Sequence, residues 1–127
     1  MGAILSNKET DIQRRIMVAV SKHAAVFRAP AGLFWQGKIR NTPEYGRILT
    51  DLRAVKVLCE GFPDLVGYRR SDGKAVFIEV KTETGRVEET QQKFIKRAQQ
   101  SGCLAGIARS DKDALEIIEI EIKEGKS

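Results

Sequence analysis

The stretch Gly61–Lys81, GFPDLVGYRRSDGKAVFIEVK, decides the fold. DLVGYRR and KAVFIEVK flank Ser71-Asp72-Gly73, and an Asp-Gly pair between two strand-like runs signals a β-hairpin. In the second run Phe77, Glu79 and Lys81 share one face, and Val76, Ile78 and Val80 share the other. Both faces are apolar along most of its length, which predicts a central strand covered on both sides. Yet the run ends in a carboxylate and an ammonium.

A buried carboxylate is costly unless it is paired or bound to a cation. Taken alone, Glu79 and Lys81 read as a strand-end salt bridge. Asp64 alters that reading. It stands eight residues before Asp72, and Glu79 stands six after Gly73. Antiparallel pairing brings both to the same open end of the hairpin. Two carboxylates there, with Lys81 beside them, make an oxygen-rich seat for a hard divalent cation such as Mg²⁺. Such a cation can bridge a phosphate oxygen and acidify a water, while a nearby lysine offsets developing charge.

Outward from the hairpin, TETGR reads as a loop and 87–101 as a helix, with Val87, Gln91, Phe94, Ile95 and Ala98 on one face and Gly102 just past its end. CLAGIAR at 103–109 returns as a strand. A strand–helix–strand order of this kind favours a parallel pair. Upstream, 8–24 has helical periodicity through Ile12, Ile16, Ala19, Val20 and His23, and AVFR at 25–28 is a short strand. Residues 29–46 are punctuated by Gly and Pro and read as a loop or irregular hairpin. The run 47–60 leans to strand. The tail 111–123 reads as helix, with LEIIEIEI leaving strand as the alternative. The sum is a single α/β domain over 1–127, a mixed sheet with helices packed on it.

Two polar residues sit where the pattern asks for apolar ones. Glu9 lies on the stripe of Ile12 and Ile16, as dipole support for the first helix or as a further carboxylate for the site. Gln91 lies on the apolar stripe of the later helix, as a satisfied buried amide or as a hydrogen-bonding site residue. His23, at the end of its stripe, reads as a packed or surface histidine.

At 127 residues the chain can bury a core without disulfide or metal staples. Cys59 and Cys103 are far apart and outside any CxxC, so they read as reduced core thiols rather than zinc ligands. No run is apolar enough to span a bilayer, and the N-terminus lacks a signal-peptide pattern. The net charge is +5, with 19 Lys/Arg against 11 Asp/Glu in 1–110 and 3 against 6 in 111–127. A basic body over an acidic tail suits a polyanionic partner. Residues 28–56 carry Arg28, Lys38, Arg40, Arg47, Arg53 and Lys56 against Glu44 and Asp51, interleaved with Phe34, Trp35 and Tyr45. That mixture suits phosphate contact, and an aromatic could stack on an unpaired base. Phe34 and Trp35 read first as core or dimer-interface residues.

FPD at 62–64 followed by EVK at 79–81 resembles the PD-(D/E)xK phosphodiesterase superfamily. GFPDLVG, FIEVKTETGRVEETQQKF and SGCLAGIARS are similar to the VRR-NUC domain, including Gly85, Gln91 and Gly102 at its characteristic places. Glu9 in ETDIQRRI resembles that family's N-terminal acidic residue. Ala29-Pro30 departs from it, where an asparagine is common. The resemblance implies a restriction-endonuclease-like mixed sheet flanked by helices. It also implies a metal-dependent nuclease in which Asp64, Glu79, Val80 and Glu9 contact Mg²⁺ (or Mn²⁺), Lys81 is the catalytic lysine and Gln91 supports the site. Standalone members are phage or bacterial. The resemblance therefore further implies a homodimer acting on branched DNA such as Holliday junctions, in the cytoplasm or that of the host cell. A non-catalytic nucleic-acid-binding module is the competing reading.

Overall fold

The computed structural model describes residues 8–30, 33–56 and 58–121, with the side chains of 33, 34 and 56 set aside. Nine elements follow one another: α1 (Lys8–Val20), β1 (Ala24–Arg28), β2 (Leu33–Thr42), β3 (Gly46–Lys56), β4 (Leu65–Arg69), β5 (Ala75–Val80), α2 (Glu89–Gln100), β6 (Leu104–Ala108) and α3 (Asp111–Ile117). Four strands form a mixed sheet in the order β1-β4-β5-β6. The hairpin β4–β5 is antiparallel with Leu65 opposite Ile78, β1 lies antiparallel to β4, and β5–β6 is parallel.

The two faces of β5 build the two halves of the core. Val76, Ile78 and Val80 pack with Ile12, Ile16 and Val20 of α1 and with Ala114 and Ile118 at the α3 end. Phe77 packs on the opposite face with Phe94, Ile95 and Ala98 of α2. Helices thus cover β5 from both sides, as its doubly apolar sequence requires. The α2 side is only half covered: Phe27 and Tyr68, on β1 and β4, stay 60% and 46% exposed.

The outer edge of β6 is capped by side chains near either end. The Gln99 amide donates to the carbonyl of Ala105 at 2.8 Å, and the N–H of Arg109 donates to Asp113 at 2.9 Å.

Several boundaries move from their sequence expectation. The first helix stops at Val20, so His23 belongs to the turn after it, half-buried, and its carbonyl accepts the Arg70 N–H at 2.8 Å. Of the two readings of 29–46, the structure has the irregular hairpin: strand β2, with a register shift between Gln36 and Lys38. It turns only at 43–45, where the Tyr45 N–H donates to Thr42 Oγ1 at 3.0 Å, and pairs with β3. This β2–β3 ribbon is a separate two-stranded sheet, and among the described residues no other element packs extensively on it. The tail is helical only to Ile117; 122–127, part of which was read as helix, lie outside the described residues. Cys103 packs with the α2 cluster as expected of a core thiol, but Cys59 is exposed.

One glycine fixes how the Asp64 segment meets α2. Gly61 has φ +79°, and a Cβ there would lie 2.4 Å from the carbonyl oxygen of Thr90. Any side chain must push the segment off the helix start, against a backbone region that L-residues avoid. Gly61→Ala is expected to cost about 1–3 kcal/mol, read as a lower midpoint in urea unfolding; an unchanged midpoint would mean that this approach is not needed.

Candidate active site

Each side chain of the site is delivered by a different consequence of the fold. Continuing the β4–β5 register two residues past Leu65 and Ile78 sets Pro63 opposite Val80. Proline has no N–H, so the ladder cannot continue there. The Val80 N–H is taken instead by the Asp64 carboxylate, Oδ2, at 2.9 Å. The carbonyl of Val80 points to the same side as its N–H and faces a proline with nothing to donate. Pro63 is fully buried, which fixes the entry of the segment.

Glu79 is 2% exposed and lies on the α2 face of β5, as the alternation predicted. Lys81 Nζ stands 3.5 Å from its Oε2, and the Gln91 amide donates to the same oxygen at 3.0 Å. Gln91 also accepts the Glu88 N–H through its own carbonyl oxygen at 2.9 Å. One amide therefore closes the first turn of α2 and holds the carboxylate. Glu79 Oε1 is buried with no hydrogen-bond partner.

Under these groups lie three rings, one from each element that carries a site residue. Phe62 precedes Asp64, Phe77 precedes Glu79 on the same face, and Phe94 follows Gln91 by one turn. Their centroids are 5.1–6.0 Å apart in edge-to-face arrangements, a geometry favourable for aromatic pairs. A cavity of about 270 Å³ opens beside Asp64, Glu79 and Gln91, walled by the segment 58–62 and the start of α2.

Burial, with the charge of Asp64 added, pushes the Glu79 carboxyl up to about 8, against the opposing pull of Lys81. Glu9, in the first turn of α1, is raised for the same first two reasons, burial and Asp64, and is also drawn down by Lys81. Helix α1 runs back along the sheet, so its N-terminal turn lies near the end where Asp64 and Lys81 stand. The structure thus brings Asp64, Glu79, Lys81 and Gln91 together, with Glu9 within electrostatic reach. Among the described residues no three acidic, His or Cys side chains converge as a complete metal cluster. The donors on offer are two carboxylates and the Val80 carbonyl, a set that suits Mg²⁺, which keeps several of its own waters.

Arg109 escaped sequence reasoning. From the end of β6 its guanidinium donates to the carbonyls of Thr82 and Gly85 at 2.6 and 2.7 Å, clamping the loop that leaves Lys81. A lone arginine after a strand carries no local signal of such a role. Trp35 was read first as core or interface; within this chain it is 60% exposed, while the Phe34 side chain lies outside the described residues.

The family model of the VRR-NUC domain matches residues 7–112, most of the chain and every site residue above. The chain belongs to the VRR-NUC family. Nuclease-type function on DNA is what membership implies. A solved structure described as a VRR-NUC domain matches with a TM-score of 0.56 at 18% identity, covering 90% of this chain and 97% of that one. That likeness supports the fold. No curated protein matches the chain. No helix among the described residues of this VRR-NUC domain is long and apolar enough to cross a membrane.

Protonation of Glu79 ties stability to pH. In the unfolded chain this carboxyl ionises near its ordinary value of 4.5, and in the metal-free fold only near 8. Between those values the folded state holds the extra proton, so stability falls as pH rises. Melting temperature without divalent cations is expected to fall from pH 5 to pH 8, and Glu79→Gln to flatten most of that slope. An equal slope in the variant would place the linkage elsewhere.

Proposed function

We propose that this chain is a divalent-cation-dependent endodeoxyribonuclease, folded as one domain over 1–127, that hydrolyses phosphodiester bonds. The observation that carries the reading is the unpartnered Glu79 Oε1, fully buried beside a second carboxylate and a lysine on the wall of an open cavity. Without a cation, burial and Asp64 keep this carboxyl protonated; an oxygen at such depth with no protein hydrogen-bond partner, beside a second carboxylate, is one that a cation can take in the proton's place.

Asp64 and Glu79 would hold the cation with the Val80 carbonyl, and Glu9 would bias the site from α1. A bound Mg²⁺ would neutralise charge on the phosphate and acidify a water. Gln91 fixes Oε2 of Glu79, which directs Oε1 toward the cation. The Lys81 ammonium, anchored by Glu79, donates hydrogen bonds to the attacking water or to the phosphate oxygen on which charge develops. Ionised Glu79 is the form that binds a cation, so proton and metal compete for the site.

Branched DNA as the preferred substrate, a homodimer as the working form and a cytoplasmic setting follow from the resemblance of the sequence to standalone members of the family. A two-fold pair of sites would suit a junction with two strands to cut.

A labelled four-way junction, a flap and a plain duplex are incubated with the chain in Mg²⁺, in EDTA, and with Lys81→Ala. Cleavage is expected with Mg²⁺, fastest on the junction. It should vanish in EDTA and fall by at least about a hundredfold in Lys81→Ala, the order of loss on removing one transition-state donor. Equal cleavage by the variant overturns the assigned site, and no cleavage of any substrate overturns the enzyme in favour of a binding module. Cation affinity, measured by calorimetry with Mn²⁺, is expected to weaken from pH 8 to pH 5.

A further inference from the structure

The β2–β3 ribbon holds five cationic residues, Lys38, Arg40, Arg47, Arg53 and Lys56, against Glu44 and Asp51. Its +3 is more than half of the chain's net charge of +5, carried on 24 of 127 residues. Its ten-residue strand β2 is about 33 Å long, close to one turn of duplex DNA at roughly 34 Å. Three of the cations, Lys38, Arg40 and Arg53, share one face, whereas Arg47, opposite Asn41, falls with Trp35 and Ile39 on the other. Trp35 pairs with Ala54 and Ile39 with Leu49 on one side, where Leu52 also lies over Gly37. Gln36, Lys38 and Arg40 alternate with these and face the other side, opposite Arg53, Thr50 and Ile48.

On that basic side the guanidinium groups are held by neutral partners. Arg53 donates from Nε and Nη2 to the Gln36 amide oxygen, and Arg40 Nε donates to Thr50 Oγ1 at 3.1 Å. Each keeps a terminal nitrogen for an outside acceptor. Where the register shifts between Gln36 and Lys38, a concavity of about 270 Å³ opens, lined by Gln36, Gly37, Lys38, Asp51 and Arg53. Asp51 is the one carboxylate in it. It sits 3.9 Å from Lys38 Nζ and 3.8 Å from Arg40 Nη2, all three well exposed. Such exposed pairs are weak and readily exchanged.

We propose that the basic face of this ribbon is a phosphate-gripping arm for duplex DNA, and that Asp51 is a built-in counter-charge that holds its affinity down. The choice of DNA rests on the nuclease reading above; the arm itself rests on the ribbon's charge, the grouping of Lys38, Arg40 and Arg53 on one face and its freedom from the body. Phosphate contacts of this kind position a duplex without reading its sequence. Asp51 competes with phosphate for Lys38 and Arg40, so removing its charge should strengthen binding, the opposite of what loss of a structural ion pair would do. Asp51 has φ 55°, a conformation that asparagine accepts readily, so Asp51→Asn leaves the backbone undisturbed.

The test measures binding of the full chain to a fluorescent duplex by anisotropy in EDTA, where no cutting occurs, at 50–200 mM salt as a usual range. Asp51→Asn is expected to bind about two- to fivefold more tightly, the worth of an exposed ion pair. Lys38→Ala/Arg40→Ala/Arg53→Ala is expected to bind more weakly and to lower the slope of log affinity against log salt by about 2 to 3. The ribbon makes little contact with the body, so the triple variant should keep its melting temperature. Unchanged slope and affinity in the triple variant, or no gain in Asp51→Asn, overturns the arm. A larger effect of both variants on duplex RNA than on duplex DNA overturns the ligand. Because the readout is metal-free binding, a failure of catalysis in the cleavage panel leaves it interpretable, and a failure here leaves the cleavage panel standing.

Discussion

A carboxylate at 2% exposure needs its surroundings arranged around it, and Glu79 is that carboxylate. Its cost is met on one oxygen by Lys81 and Gln91, and the other oxygen is left without a protein partner. For this to work, three segments must end at one place: the run into β4, the last residues of β5 and the first turn of α2. The Phe62–Phe77–Phe94 cluster holds them there through side chains two or three residues from the polar ones. The apolar and polar parts of the site are thus the same three segments seen from opposite ends. A proton is the occupant that this arrangement accepts when no cation is present, which is why the carboxyl titrates so far above its ordinary range.

Much of this was legible because the relevant signals are local and periodic. The Asp72-Gly73 turn fixed the hairpin, the two-faced pattern of β5 fixed its central position, and counting from the turn brought Asp64 to Glu79. Gln91 stood out as an amide on an apolar stripe. The parallel return of β6 followed from the helix between the strands. What escaped was set by long-range contact. Arg109 meets carbonyls more than twenty residues back in the chain, and no neighbour in sequence marks it. Cys59 shared the composition of a core thiol, yet it lies in the segment walling the site cavity.

Residues 29–46 stayed open between loop and irregular hairpin for a different reason. Glycine and proline usually punctuate loops, but here only Pro43 and Gly46 belong to the turn, while Gly37 marks an irregularity inside a strand. At Gly37 the bare backbone makes room: an added Cβ would sit 2.9 Å from the Leu52 side chain and 2.7 Å from the Thr50 carbonyl. Two-stranded ribbons are marginal on their own, and cross-strand pairs such as Trp35–Ala54 and Ile39–Leu49 supply part of what the missing body contacts would.

The partly capped outer edge of β6 limits how the sheet can grow on that side. A bare parallel edge would template further strands, the route by which many sheets run into fibres. Gln99 takes the Ala105 carbonyl and Asp113 the Arg109 N–H, which leaves chiefly the Ala105 N–H and the two Ile107 groups open to a stranger's backbone. Crowding such molecules together on a long polyanion, where local concentration climbs steeply, would therefore bring them side by side without readily adding a strand beyond β6.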